Sequence, residues 1–231
     1  MKTVGILAPM ELEYLPLLKK LQEAETCILG GTRCTVGMLG KTRVILHECS
    51  VGKVNAALHT QLLIDTYHPD AILNVGIAGS LTRLAGHCTP VVVTHCAYHD
   101  MRPGTLEKFH PFTSRFACDT ELSALLWEAA GTDCLTGFLV TGDKFISSAA
   151  QREAVLDAFP GEPPLCVEME STAVAQVAQV NGVPFAALRC ISDLADDSAK
   201  DDCERFEHLA AQRAAEIVCA ALAGMEEASC I

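Results

Sequence analysis

Cys166-Val167-Glu168-Met169-Glu170-Ser171-Thr172-Ala173-Val174-Ala175 is the stretch that decides the fold. Leu165-Cys166-Val167 has the apolar character of a short strand, and from Ser171 onward small residues carry apolar ones at Val174, Val177 and Ala178, a helical recurrence. Glu168 and Glu170 therefore fall at a strand-to-helix junction, in surroundings where packing alone would place no charge. In α/β proteins ligands gather at the carboxyl ends of strands, where a helix start also offers free N–H groups. Two readings stay open for the pair: groups of a ligand site, or carboxylates that complement the helix macrodipole for ~0.3–1 kcal/mol each.

The same grammar recurs on either side of this stretch. Val4–Ala8 reads as a buried strand followed by a helix with Leu12, Leu15 and Leu18–Leu21 on its apolar face, which puts Glu11 and Glu13 in the first turn. Cys34–Leu39 and Thr42–Cys49 read as strands joined through Gly40-Lys41, and Ser50-Val51-Gly52-Lys53 leads into a helix reaching about Tyr67. Lys53 is followed by Val54, so this glycine turn is not a phosphate-binding Walker loop. Ala71–Val75 is an apolar strand running into Gly76-Ile77-Ala78-Gly79, read as a glycine-rich turn that brings backbone against a ligand. Only two of the three dinucleotide-fingerprint glycines are present there, and no helix follows, which argues against a Rossmann site. Pro90–Ala97, Gly137–Val140 and Pro184–Cys190 are further strands, a helix is expected near Glu121–Ala130, and Glu204 to about Ala223 forms a final amphipathic helix. Met101–Cys118 has no clear period and holds Phe109, Phe112 and Phe116, an aromatic loop of the kind that packs on something. Several apolar strands thus end in Gly, Ser, Asp or Glu and alternate with helices: an α/β sheet with one rim loaded for chemistry.

Composition bounds the partners. The 231 residues contain no linker or low-complexity block, and one domain spanning 1–231 is expected. Seventeen basic against 29 acidic residues give a formal charge of −12, which disfavours nucleic acid or an anionic membrane as partner and fits a small neutral ligand. Apolar runs stop well short of a membrane span, and Glu11 arrives too early for a signal peptide, so a cytoplasmic location is expected. The 12 cysteines include no Cys-x-x-Cys pair and read as buried structural thiols in a reducing compartment. His95 and His99 have a metal-like spacing but no cluster of further ligands, so ordinary hydrogen-bonded histidines are expected, with no metal and no cofactor.

Taken together and in order, Met10-Glu11-Leu12-Glu13, Gly76-Ile77-Ala78-Gly79, Thr141-Gly142-Asp143-Lys144-Phe145-Ile146, Val167-Glu168-Met169-Glu170 and Arg189-Cys190-Ile191-Ser192-Asp193 closely resemble the 5′-methylthioadenosine/S-adenosylhomocysteine nucleosidases of the nucleoside phosphorylase superfamily. The resemblance covers nearly the whole chain except Met101–Cys118. It implies a three-layer α/β/α fold around a mixed, partly barrelled sheet, usually a homodimer, and hydrolysis of an adenine–ribose bond. It also implies that Glu13 activates water as general base, that Asp193 protonates adenine N7 with Ser192 supporting it, and that Glu170 with Met169 holds the ribose. Phe145 would stack on adenine while the Ile146 backbone meets its edge, and Ala78 and Gly79 would lie along the nucleoside. Met10, Val51 and Cys203, with the Met101–Cys118 loop, would wall the 5′ group. Two positions depart from the family pattern: Ile77 stands where a Ser is common, and Cys203 where an aromatic is expected. Loss of an N-glycosidic base passes through an oxocarbenium-like sugar, which calls for an acid for the leaving base, a base for water and nearby negative charge. Three separated carboxyl groups supply that set. A phosphorylase, a futalosine-type nucleosidase and a binding protein without turnover are the competing readings.

Overall fold

The computed structural model describes residues 2–224. Ten strands run in chain order as β1 (Thr3–Ala8), β2 (Gln22–Leu29), β3 (Thr32–Leu39), β4 (Thr42–Glu48), β5 (Ala71–Ser80), β6 (Pro90–Tyr98), β7 (Phe116–Ala117), β8 (Leu135–Thr141), β9 (Cys166–Glu168) and β10 (Phe185–Asp193). They are interleaved with α1 (Glu11–Leu18), α2 (Lys53–Tyr67), α3 (Thr105–Lys108), α4 (Thr120–Ala130), α5 (Ala149–Asp157), α6 (Ser171–Val180) and α7 (Ala199–Gly224). The sheet order β10-β6-β8-β9-β5 closes on itself because β10 also pairs with β5, giving a five-strand barrel from which β1, β4, β3 and β2 extend as an open arm. Pairings are mixed: β5 runs parallel to β1 and β10 and antiparallel to β9. Helices α1, α4 and α7 pack together, and α2 packs against α6. The expected three-layer architecture with a partly barrelled mixed sheet is what forms.

The apolar strands predict this arrangement because β1, β5 and β10 are buried almost throughout, as strands covered on both faces must be. β8 and β9 run against β5, and their carboxyl ends come alongside its last residues, Val167 pairing with Gly79. The residues around Gly76–Gly79 differ from expectation. They are not a turn but the last part of β5, and the glycines are there because carboxylates lean on the strand. A Cβ at Gly76 would collide with the Glu13 carboxylate, and one at Gly79 would lie 2.8 Å from Asp193 Oδ1.

Other elements depart from the periodicity for physical reasons. In α1 it is Glu13, Tyr14 and Leu17 that are buried, while Leu12, Leu15 and Leu18 are half-buried, because Glu13 enters a polar recess and the Tyr14 hydroxyl bonds Thr35. Strand β2 has no apolar alternation to announce it, being an exposed edge strand held by its hairpin with β3. Helix α5 is set by its Ser148 cap and buries only Val155. Helix α7 begins at Ala199 rather than Glu204. Within Met101–Cys118, Phe116 does not belong to a surface cluster: it is fully buried opposite Cys96 of β6, and only Phe109 and Phe112 are exposed.

Candidate active site

The chain turns of the sheet rim bring four carboxyl groups and one guanidinium together out of water. Glu13, in the first turn of α1, is buried, its Oε2 accepting the Met10 N–H at 2.9 Å and its Oε1 the Ile77 N–H at 2.8 Å. Burial pushes its carboxyl up to about 7, against the pull of Arg189. The hydrogen bond from Ile77 is a backbone one, so the replacement of the family's Ser by Ile77 leaves this contact in place.

Arg189, in the middle of β10, is the hub. Its Nη2 donates to Glu168 Oε2 at 2.6 Å and to Ser171 Oγ at 3.0 Å, and it also bonds Asn74 Oδ1. Its Nε and Nη1 are buried without a hydrogen-bond partner among the described residues, and Nη1 lies on the same side of Gly76 as the Glu13 carboxylate. Burial works against a charge on Glu168, yet Arg189, the Thr141 hydroxyl and the N–H groups of Glu170 and Ser171 hold its carboxyl below the usual range. Glu168 is therefore the internal counter-ion of Arg189 and also takes up the free N–H groups at the start of α6. Arg189 lies mid-strand rather than at the strand end expected from the sequence, because β10 runs on to Asp193, and its pairing with Glu168 comes from the barrel, which brings β9 and β10 to opposite sides of β5.

Glu170, two residues on, points the other way. It accepts the Gly52 N–H at 2.7 Å, and burial followed by the neighbouring Glu168 charge raises it to about 8. Asp193, at the end of β10, accepts the Ser192 hydroxyl at 2.8 Å and the Ala195 N–H at 3.0 Å, and burial raises it above the ordinary aspartate range. Gly79, Phe145, Ile146, Met169 and Asp193 line one small cleft, about 30 Å³, with Lys144, Val167 and Glu168. Met10 caps the start of α1 beside Glu13, Val51 is 44% exposed beside Gly52, and Ala78 is buried in β5. Cys203 is half-buried on α7; burial pushes its thiol up to about 11, with the nearby Asp193 adding to the effect. The structure thus gathers the residues singled out from the sequence along one rim. It adds Lys53, Asn74 and Asp100, which are reached only through the fold, and gives Thr141 and Ser171, already part of the sequence stretches, hydrogen bonds to Glu168 and Arg189. A larger cavity of about 340 Å³ lies beside Tyr98, Met101, Arg102, Arg115 and Phe159, and none of the carboxylates just described lines it. Among the described residues no group of three or more His, Cys, Asp or Glu is arranged to hold a metal.

Residues 3–223 of the chain, which contain this closed five-strand barrel, match the phosphorylase superfamily. The chain is 34% identical over 222 residues to a 5′-methylthioadenosine/S-adenosylhomocysteine nucleosidase of Staphylococcus carnosus, covering 93% of this chain and 96% of that one. It is 32% identical over 224 residues to the Listeria monocytogenes protein of the same name, covering 92% and 95%. Among solved structures it superposes with TM-score 0.92 and 29% identity on the Neisseria meningitidis nucleosidase in complex with methylthio-immucillin-A, over 97% of this chain and 100% of that one. The Streptococcus pyogenes S-adenosylhomocysteine nucleosidase in complex with 5-methylthiotubericidin gives TM-score 0.91 and 28% identity, over 97% of both chains. The chain belongs to the 5′-methylthioadenosine/S-adenosylhomocysteine nucleosidase family.

Proposed function

We propose that the protein hydrolyses the N-glycosidic bond of 5′-modified adenine nucleosides, 5′-methylthioadenosine and S-adenosylhomocysteine among them, to adenine and the 5-substituted ribose. The observation that carries this reading is the pairing of two buried carboxyl groups with raised proton affinity, Glu13 and Asp193, on the two sides of β5. As C1′–N9 breaks, Asp193 gives its proton to adenine N7 and the departing base leaves neutral. Water then bonds to C1′ as Glu13 takes its proton. Burial favours the protonated form of Asp193 that this step needs. Glu170 orients the ribose hydroxyls by hydrogen bonding, while Phe145 stacks on the base.

Phosphate as nucleophile would need Arg or Lys facing the sugar. The Arg189 guanidinium is instead engaged with Glu168, and the helix that follows β1 offers the Glu13 carboxyl, so water fits better than phosphate. On the 5′ side, Met10, Val51 and the small Cys203 leave room for several substituents, and apolar walls discriminate weakly, about 1–3 kcal/mol per methylene. The test is adenine release from methylthioadenosine, S-adenosylhomocysteine and 5′-deoxyadenosine, with and without phosphate. All three should react at rates independent of phosphate; a need for phosphate would sink the hydrolytic reading.

Residues 1–231 are taken as one nucleosidase domain acting in the cytoplasm. The continuous sheet supports the first point. Consistent with the second, no helix among the described residues is long and apolar enough to cross a membrane. A homodimer is proposed on the family likeness and on the exposed Phe109, Phe112, Val54 and Leu58. Light scattering should give twice the chain mass, and the mass of a single chain would reject the dimer.

A further inference from the structure

Three loops meet beside the ribose wall, and a single side chain joins them. Lys53, the first residue of α2, places Nζ 2.8 and 2.7 Å from the two carboxylate oxygens of Asp100, just after β6. The same Nζ lies 3.6 Å from Asp143 Oδ2, just after β8. The ring of bonds closes through the backbone: Lys53 N–H donates to Asp143 Oδ1 at 2.9 Å, and Asp143 N–H donates to Asp100 Oδ2 at 2.9 Å.

Each end of this clamp continues into the site. Gly52, one residue before Lys53, gives its N–H to Glu170 Oε1 at 2.7 Å and does so from φ +98°, a conformation open to glycine. Phe145 and Ile146, which line the cleft, follow Asp143 by two and three residues. Lys53 Nζ also sits 5.4 Å from the centre of the Tyr98 ring, whose hydroxyl donates to Gln176 of α6 at 2.8 Å, so the helix that begins after Glu170 is tied in as well.

We propose that Lys53, bridging Asp100 and Asp143, is a positioning residue for the nucleosidase reaction, fixing Glu170 against the sugar and Phe145 against the base in one geometry. The proposal rests on the nucleosidase reading above. An ion pair with both partners about one-fifth exposed adds little to global stability. Its consequence is local, because displacing a substrate-positioning group by an ångström lowers rates by up to ~10²-fold.

The experiment measures steady-state adenine release from methylthioadenosine, together with calorimetric binding of the product adenine, for wild type, Lys53→Met, Asp100→Asn, the double variant and Lys53→Arg. Lys53→Met should lower kcat/KM by roughly 30-fold, mostly through KM, and weaken adenine binding, with the melting temperature little changed. Asp100→Asn should act in the same direction, the double variant should be no worse than Lys53→Met, and Lys53→Arg should recover most of the loss. The proposal is overturned by a Lys53→Met enzyme with wild-type kcat/KM, by additive single effects, or by a loss that merely follows a lower melting temperature or failure to fold. A wild-type protein that releases no adenine would reject the nucleosidase reading itself, whereas an active wild type matched by Lys53→Met rejects only the clamp.

Discussion

Replacement of Asp193 by Asn should lower kcat for adenine release by at least ~10²-fold while the protein stays folded. The substituted amide keeps an oxygen for the Ala195 N–H at 3.0 Å, and its NH₂ can donate to Ser192 once that hydroxyl turns. What it lacks is a proton to release to adenine N7. Glu13→Gln should give a loss of the same order by removing the acceptor of the water proton. The pH dependence separates the two roles. Glu13 works when unprotonated and its carboxyl sits near 7, so kcat/KM of the free enzyme should fall as pH drops through that region, and this limb should vanish in Glu13→Gln. Asp193 works when protonated, and burial raises its carboxyl in the direction that role needs. A folded Asp193→Asn enzyme with near-wild-type kcat would remove Asp193 from the mechanism.

Arg189→Met should destabilise the protein by about 3–5 kcal/mol, because it leaves the buried Glu168 without its counter-ion. For a chain of this length that corresponds to a fall in melting temperature of roughly 10 °C or more. The mechanism is specific: Glu168 is held ionised by Arg189 together with hydrogen bonds that favour the charged form. Adding Glu168→Gln to Arg189→Met should therefore recover part of the loss, since the uncharged amide keeps an oxygen for the Glu170 and Ser171 N–H groups. If Arg189→Met melts like wild type, the pair is not what holds this part of the barrel rim.

Much of this site was legible before the structure because its chemistry sits at strand ends, where a carboxylate interrupts an apolar run. Glu13, Glu170 and Asp193 each showed that mark, and their order along the chain carried the family likeness. The interplay of Arg189 with Glu168 was not legible, since it depends on closure of β10 against β5 across a long sequence separation. Lys53 was hidden for a related reason. Its sequence neighbours invite comparison with a phosphate loop, and its partners Asp100 and Asp143 lie in loops just after β6 and β8. The exposed strand β2 left no pattern because an edge strand with no buried face has no apolar alternation to display. The glycines of Gly76–Gly79 were legible as a place of close approach, but what approaches within the protein is its own pair of carboxylates.

The central claim is that water, activated by Glu13, attacks C1′. It is tested most directly by running the reaction on methylthioadenosine in oxygen-18 water with phosphate present, and weighing the sugar product. The account predicts one solvent oxygen in free 5-methylthioribose and no sugar phosphate. A ribose 1-phosphate product carrying no solvent oxygen would contradict it.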